Sequence, residues 1–288
     1  MKSKPLALAL TYATLVGVAL LTLGPFVWLV VTALKGGTEN IFAYPPRLIP
    51  EQPTLGNFVA VWQAVPFGRY VWNSVLVAAA SVVLNLFFAS LAAYPLARMR
   101  FKGRDGFFYL VLSTMMVPFP VIMIPLFILV TKLNTGLMAV TPNALNSPYL
   151  AYTWLVLPTS VTAFGIFLLR QAFLAIPLEL EEAVIIDGGS AWDIWWKIMI
   201  PLSRPALATL AIFTFVGSWG DFLWPLLVLK DPQLYTLPLG VAFLAGTFSA
   251  NWRLIAAGSV LAVLPIVTFF LVMQRHFVGG ATAGAVKG

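Results

Sequence analysis

Residues Leu6–Leu34 read LALALTYATLVGVALLTLGPFVWLVVTAL, an unbroken run without one charged side chain. A helix rises about 1.5 Å per residue, so about 20 apolar residues cross the hydrocarbon core of a bilayer. This run is too long for the apolar core of a secretory signal and lacks a clear small-x-small cleavage site. It reads as an uncleaved first spanning helix. Similar runs recur at Val71–Ala97, Gly106–Thr131, Leu150–Leu169, Pro205–Leu229 and Leu254–Met273. Strands of a membrane barrel alternate in polarity over about 10 residues, whereas these runs are continuous and longer. The expected fold class is therefore all-α, a polytopic membrane protein with six transmembrane helices.

Composition points the same way. Of 288 residues, 60% are hydrophobic and 9% charged, against about 45–50% and about 25% in soluble domains. A water-soluble globule needs a polar skin that this chain cannot supply. Disorder, which needs low hydrophobicity and high charge, is excluded as well. The net charge of +7 is spread in short runs between apolar segments, unlike the single basic patch of a nucleic-acid binder. No cysteine is present, so thiolate chemistry, disulfides and zinc–thiolate sites are excluded, and the one histidine, His276, has no second ligand of its kind.

Basic residues orient the spans. With the N-terminus inside, the inner segments hold Lys2, Lys4, Arg98, Arg100, Lys102, Arg104, Arg170, Lys197, Arg204, Arg275 and Lys287. The outer segments hold only Lys35, Arg47, Arg69, Lys132, Lys230 and Arg253. The positive-inside rule then favours N-in/C-in. This divides the chain into residues 1–34 (N-terminus and first helix), an outer loop at 35–70, a five-helix core at 71–275 and a tail at 276–288. The remaining outer loops are expected at about 132–149 and 230–253 as irregular or partly helical segments, with turn signals such as Thr141-Pro-Asn143. Residues 279–288 read as a frayed end.

The inner loop at 171–204 departs from this pattern. It carries Glu179, Glu181, Glu182, Asp187 and Asp193 against Lys197 and Arg204. A surface lying on anionic lipid is expected to be basic, so the acids point to a protein partner. Pro177 followed by three glutamates suits a helix start. Gly188-Gly189 suits its end, and Ser190-Ala-Trp-Asp193 suits the capping box of a second helix that Pro201 terminates. Trp192, Trp195, Trp196 and Met199 share one face at α-helical spacing. Spacing leaves two readings open: a headgroup-anchored hairpin or a docking element.

The residues Glu182-Ala183-Val-Ile-Ile-Asp187-Gly188-Gly189-Ser190, followed by Ile198-Met-Ile-Pro201, resemble the "EAA" loop of binding-protein-dependent ATP-binding-cassette importer permeases. The family form is E-A-A-x-x-D-G-A and then, after a spacer, I-x-L-P. This chain departs from it at Val184, Gly189 and Ile200. Further stretches, among them Ala92-Ala-Tyr-Pro-Leu-Ala-Arg98 and Trp219-Gly-Asp221-Phe222, are similar to the carbohydrate-uptake branch, in particular the maltose-type second permease subunit.

The resemblance implies a type I ABC importer permease fold in a bacterial or archaeal inner membrane. It implies a second homologous permease, two ATPase subunits that bind ATP-Mg, an extracytoplasmic solute-binding protein and a sugar-like solute: disaccharide, oligosaccharide, polyol, glycosylglycerol or glycerol phosphate. The loop would be the coupling helix, with Glu182 making the polar contact to the ATPase and Gly188 permitting the turn. The chain has no G-x-x-x-x-G-K-[ST] of its own, so no cofactor is expected on it.

Inside the spans, polar residues are scarce. Asp221 is the one acid within an apolar run, about 16 residues along the fifth, or about 24 Å of rise. It reads either as a pathway residue or as a hydrated interfacial one. Trp219 and Trp224 read as solute-stacking faces or as part of an outer aromatic belt. Asn85 reads as an interhelical hydrogen-bonding residue or a pore residue. Pro118, Pro120, Pro125 and Pro158 allow kinks. An ion-coupled secondary transporter would want paired carboxylates or inverted repeats. An intramembrane hydrolase would want a nucleophile turn. Neither signature is present.

Overall fold

The structure is a computed structural model that describes residues 5–140, 148–247 and 251–283, with side chains over 8–136, 150–245 and 251–272. Thr141-Pro-Asn143, Lys2, Lys4, Lys287 and residues 284–288 lie outside the described residues, as does the side chain of His276. Every regular element among the described residues is helical. The helices are α1 (Pro5–Leu34), α2 (Gly56–Ala64), α3 (Phe67–Arg98), α4 (Arg104–Ser113), α5 (Phe119–Val140), α6 (Pro148–Val156) and α7 (Ala163–Leu174). They continue with α8 (Glu179–Ile186), α9 (Ala191–Leu202), α10 (Arg204–Gly220), α11 (Leu223–Val228), α12 (Leu237–Thr247) and α13 (Trp252–Ala283).

Segments at 8–34, 67–98, 119–136 and 252–272 are long and apolar enough to cross a membrane alone. Two bent pairs, α6 with α7 at 53° and α9 with α10 at 78°, bring the total to as many as six. Three expected spans are broken, each for a local reason. The run 106–131 divides at Val117, whose extended backbone (φ −87°, ψ 113°) is what a following proline imposes. Pro120 then falls in the first turn of α5, where a missing N–H costs nothing. The run 150–169 breaks at a tight turn, Leu157–Thr159, that contains Pro158. The run 205–229 stops at Gly220, because Asp221 is extended (φ −68°, ψ 128°) and its carboxylate accepts from the Trp224 N–H (3.4 Å), starting α11. The segments expected as outer loops are partly helical: α5 continues to Val140 and α12 covers Leu237–Thr247.

The chain forms two compact units. The first comprises the described residues of 5–68 and 237–265. Here the Lys35 ammonium is buried over the Trp28 ring (4.9 Å) and 3.7 Å from Glu39. Asn57 donates to the carbonyls of Ala33 (2.8 Å) and Lys35 (2.9 Å), and Arg253 donates to the Glu39 carbonyl. The irregular stretch between α1 and α2 is thereby tied to the end of α1. α12 and α13 approach closely at Gly258, where a Cβ would meet Leu244 at 3.1 Å.

The second unit comprises the described residues of 69–236 and 266–283. Its core gathers Ala89, Ala93 and Leu96 of α3, Leu169 and Phe173 of α7, Trp195 and Met199 of α9, and Leu210 of α10. Small residues on α3 let α7 come close: a Cβ on Gly165 would lie 3.0 Å from that of Ala89.

Candidate functional site

Residues 177–203 form a hairpin of α8 and α9. Pro177 lies just before the helix, which begins at Glu179, with Glu179, Glu181 and Glu182 in its first turn where the helix dipole favours anions. Its end is a complete Schellman turn: the Gly188 N–H donates to the Ile185 carbonyl (3.0 Å) and the Gly189 N–H to that of Val184 (2.8 Å). Gly188 has φ +78°, a conformation that disfavours any residue with a Cβ. The capping box is present. Ser190 Oγ accepts from the Asp193 N–H (3.3 Å), and the Asp193 carboxylate accepts from the Ser190 N–H (3.0 Å) and hydroxyl (2.6 Å). The Lys197 ammonium at 2.6 Å and Ser190 hold the Asp193 carboxyl well below the usual carboxylate range.

α9 does not present the expected single face. Ile194–Met199 is wound as a π-helix, whose wider turn puts residues i and i+5 in line. Ile194, Trp195 and Met199 are buried, while Trp192 and Trp196 are 56% and 58% exposed. Pro201 does not end the helix. It continues to Leu202 and breaks at Ser203 (φ −96°, ψ 16°). The widened turn upstream relieves the clash between a proline ring and the carbonyl four residues earlier.

Of the residues singled out for the loop, Glu182, Ala183, Asp187, Gly188 and Ser190 are exposed, and Gly189 and Pro201 are half-buried. Beside them α8 exposes Ile185 and Ile186, the latter 84%. Sequence reasoning missed what anchors the hairpin. Glu181 is buried with its carboxylate 2.7 Å from Arg98 Nε at the end of α3. Burial pushes its pKa up and the guanidinium partly offsets this. Arg98 also donates to the carbonyls of Phe173 (2.7 Å) and Ile176. Arg170 of α7 in turn donates to the Leu96 carbonyl (3.0 Å), lies over the Phe108 ring (4.0 Å) and reaches Asp105 (3.4 Å). No sequence pattern pairs residues so far apart.

A cavity of about 250 Å³ lies among α3, α10 and the α6–α7 break. Its polar lining is Ser81, Asn85, Thr159, Thr162, Thr214, Ser218 and Asp221. Asn85 is buried and joins three elements. It donates to Thr214 Oγ1 (2.9 Å) and Thr162 Oγ1 (3.2 Å) and accepts from the Thr162 N–H (3.3 Å). Thr162 caps α7 by accepting from the Gly165 N–H (3.0 Å). The cavity thus brings Asn85 and Asp221 together. Trp219 and Trp224 are outside its lining: both are buried, Trp219 stacked on Phe215 (5.5 Å) and Trp224 donating to the Leu155 carbonyl (3.2 Å). The missed residues had a signal. Thr214, Gly217, Ser218 and Asp221 recur at i, i+3, i+4 and i+7, one face of a helix.

A model of the family described as binding-protein-dependent transport system inner membrane component matches residues 85–281. The chain is 38% identical to the arabinooligosaccharides transport system permease protein AraQ of Halalkalibacterium halodurans, covering 94% of this chain and 93% of the relative. It is 33% identical to the sn-glycerol-3-phosphate transport system permease protein UgpE of Yersinia enterocolitica, covering 92% of each. Its fold is similar to a crystal structure of a bacterial ABC transporter involved in the import of the acidic polysaccharide alginate, with TM-score 0.78, 22% identity and coverage of 94% of this chain and 96% of that one. With most of its length matched by the family model and by such relatives, the chain belongs to the binding-protein-dependent transport system inner membrane components.

Proposed function

We propose that this chain is one of two permease subunits of an ATP-driven importer for a sugar-like solute, with its N-terminus on the cytoplasmic side. Residues 179–202 are its docking element for an ATPase subunit. The observation that carries this reading is the build of the hairpin. Its turn is fixed by a Schellman motif and a capping box, yet it leaves Ile186, Trp192 and Trp196 exposed beside Glu182 and Asp187. A rigid apolar surface with acids at its edge suits a protein cleft better than lipid headgroups. ATP and Mg²⁺ belong to the partner ATPase, and this chain acts by moving.

The solute passes the cavity at Asn85 and Asp221. Relatives named for arabinooligosaccharides and for glycerol phosphate bracket neutral and anionic solutes. Hydroxyls, an amide and one carboxylate line the cavity, with no basic side chain among the described lining residues. That chemistry matches a neutral polyhydroxyl compound and repels a phosphate. The test is Glu182→Lys in the assembled importer. The expected result is normal membrane insertion with loss of co-purifying ATPase subunits. Retention of both subunits and full uptake would refute the docking role.

A further inference from the structure

Coupling requires that movement of the hairpin reach the cavity some distance away in the same unit. α8 has one buried side chain, and it is the carboxylate of Glu181. Its remaining residues are exposed or half-buried. The grip of α8 on the rest of the unit therefore combines the half-buried Val184, which packs against the core, with a buried ion pair. A buried pair of this kind adds little net stability over apolar packing. What it adds is a fixed partner, since the guanidinium that pairs with Glu181 is itself held by hydrogen bonds to the carbonyls of Phe173 and Ile176.

Arg98 is that partner. One guanidinium holds Glu181 at 2.7 Å and the carbonyls of Phe173 and Ile176 at the end of α7. Arg170 returns the contact to the Leu96 carbonyl, so α3 and α7 cap each other. Farther along the same helix α3, about 20 Å away at 1.5 Å per residue, Asn85 bonds to Thr162 and Thr214 at the cavity. α7 is thus clamped to α3 at both of its ends, and α8 is fastened to the clamp by Glu181.

We propose that Arg98 and Glu181 are positioning residues for coupling, a strut that makes the hairpin and the cavity wall move as one body when the ATPase subunits close. The proposal rests on the docking reading above. It concerns what fastens the hairpin to the pore, not what the hairpin touches.

The absence of cysteine permits a direct test. Spin labels are placed at Glu179→Cys on α8 and Val83→Cys on α3, both exposed positions, in the importer reconstituted with its ATPase subunits and binding protein. Pulsed electron paramagnetic resonance reads their separation without nucleotide and after trapping with ATP and vanadate. The expected wild-type result is one narrow distance that is the same in both states. Glu181→Gln keeps the shape and removes the charge, and its distribution is expected to broaden and its mean to shift between states while the ATPase subunits still co-purify. Arg98→Lys keeps the charge and loses the fork, and the same shift is expected. A purely structural role would broaden both states alike. Wild-type distributions in both variants with docking retained would overturn the proposal alone, as would a wild-type distance that changes on trapping. Retained ATPase co-purification together with full uptake in Glu182→Lys would remove the docking reading beneath it.

Discussion

Val184 and Gly189 each depart from the alanine of the motif this loop resembles, and the structure makes them one change. A Cβ on Gly189 would stand 2.4 Å from Val184 Cγ1 and 2.9 Å from the Val184 carbonyl. The valine methyl fills the space an alanine at 189 would use. Gly189→Ala is therefore expected to cost about 1–3 kcal/mol through overpacking. Adding Val184→Ala is expected to recover the part due to the valine methyl, a coupling of at least about 0.5 kcal/mol. Thermal unfolding of the four members of the cycle in detergent measures this, and strictly additive effects would contradict it. The sequence displays both departures but not their relation, because the turn that brings them together is defined by two backbone hydrogen bonds. Arg98 and Glu181 were illegible for a stronger reason: their contact exists only once α3 and α8 have packed, and each alone reads as an ordinary charge near a membrane surface.

Among the elements, α3 carries the most. Its apolar length was plain in the sequence, and so was Asn85 as a polar residue within it. Which helices Asn85 joins was not. Asn85→Leu is expected to cost about 1–2 kcal/mol, the range of interhelical hydrogen bonds in membranes, and to lower uptake by loosening α3 from α7 and α10. Unchanged unfolding would show that Thr162 and Thr214 do not depend on it. The start of α9 gives a pH prediction. The folded pKa of Asp193 lies below its unfolded value of 3.8, so its contribution is complete above that value. It is lost only as pH falls from there through the folded pKa. Amide protection at 190–194 is expected to be the same at pH 5 and pH 8 and to fall at both in Asp193→Asn. Protection that drops between pH 8 and pH 5 in the wild type would contradict the capping account. The capping box was legible because it is local. The π-helical turn that follows was not, since α-helical spacing of Trp192, Trp195, Trp196 and Met199 is what a sequence shows. Core packing of Ile194 and Met199 selects the wider winding.

For the whole molecule, apolar runs and scarce charges were enough to read an all-helical membrane protein. Pro118 and Pro201 marked the breaks near Val117 and Ser203 in the sequence, but the stop at Asp221 was not legible, because apolar residues continue on both sides of it and only backbone geometry marks it. Asp221 lies at such a break and on the cavity wall. Asp221→Asn is expected to keep assembly and reduce uptake of a neutral saccharide, and undiminished uptake would take the residue out of the pathway. The central claim is that residues 179–202 meet an ATPase subunit on the cytoplasmic side. The most direct measurement is cross-linking from a single introduced cysteine, Ala183→Cys, in this cysteine-free chain. Treated in membranes with a short bifunctional reagent, Ala183→Cys is predicted to join to an ATPase subunit and to resist a membrane-impermeant thiol reagent added from outside. Labelling from outside, or no cross-link in an assembled and active importer, would contradict the account.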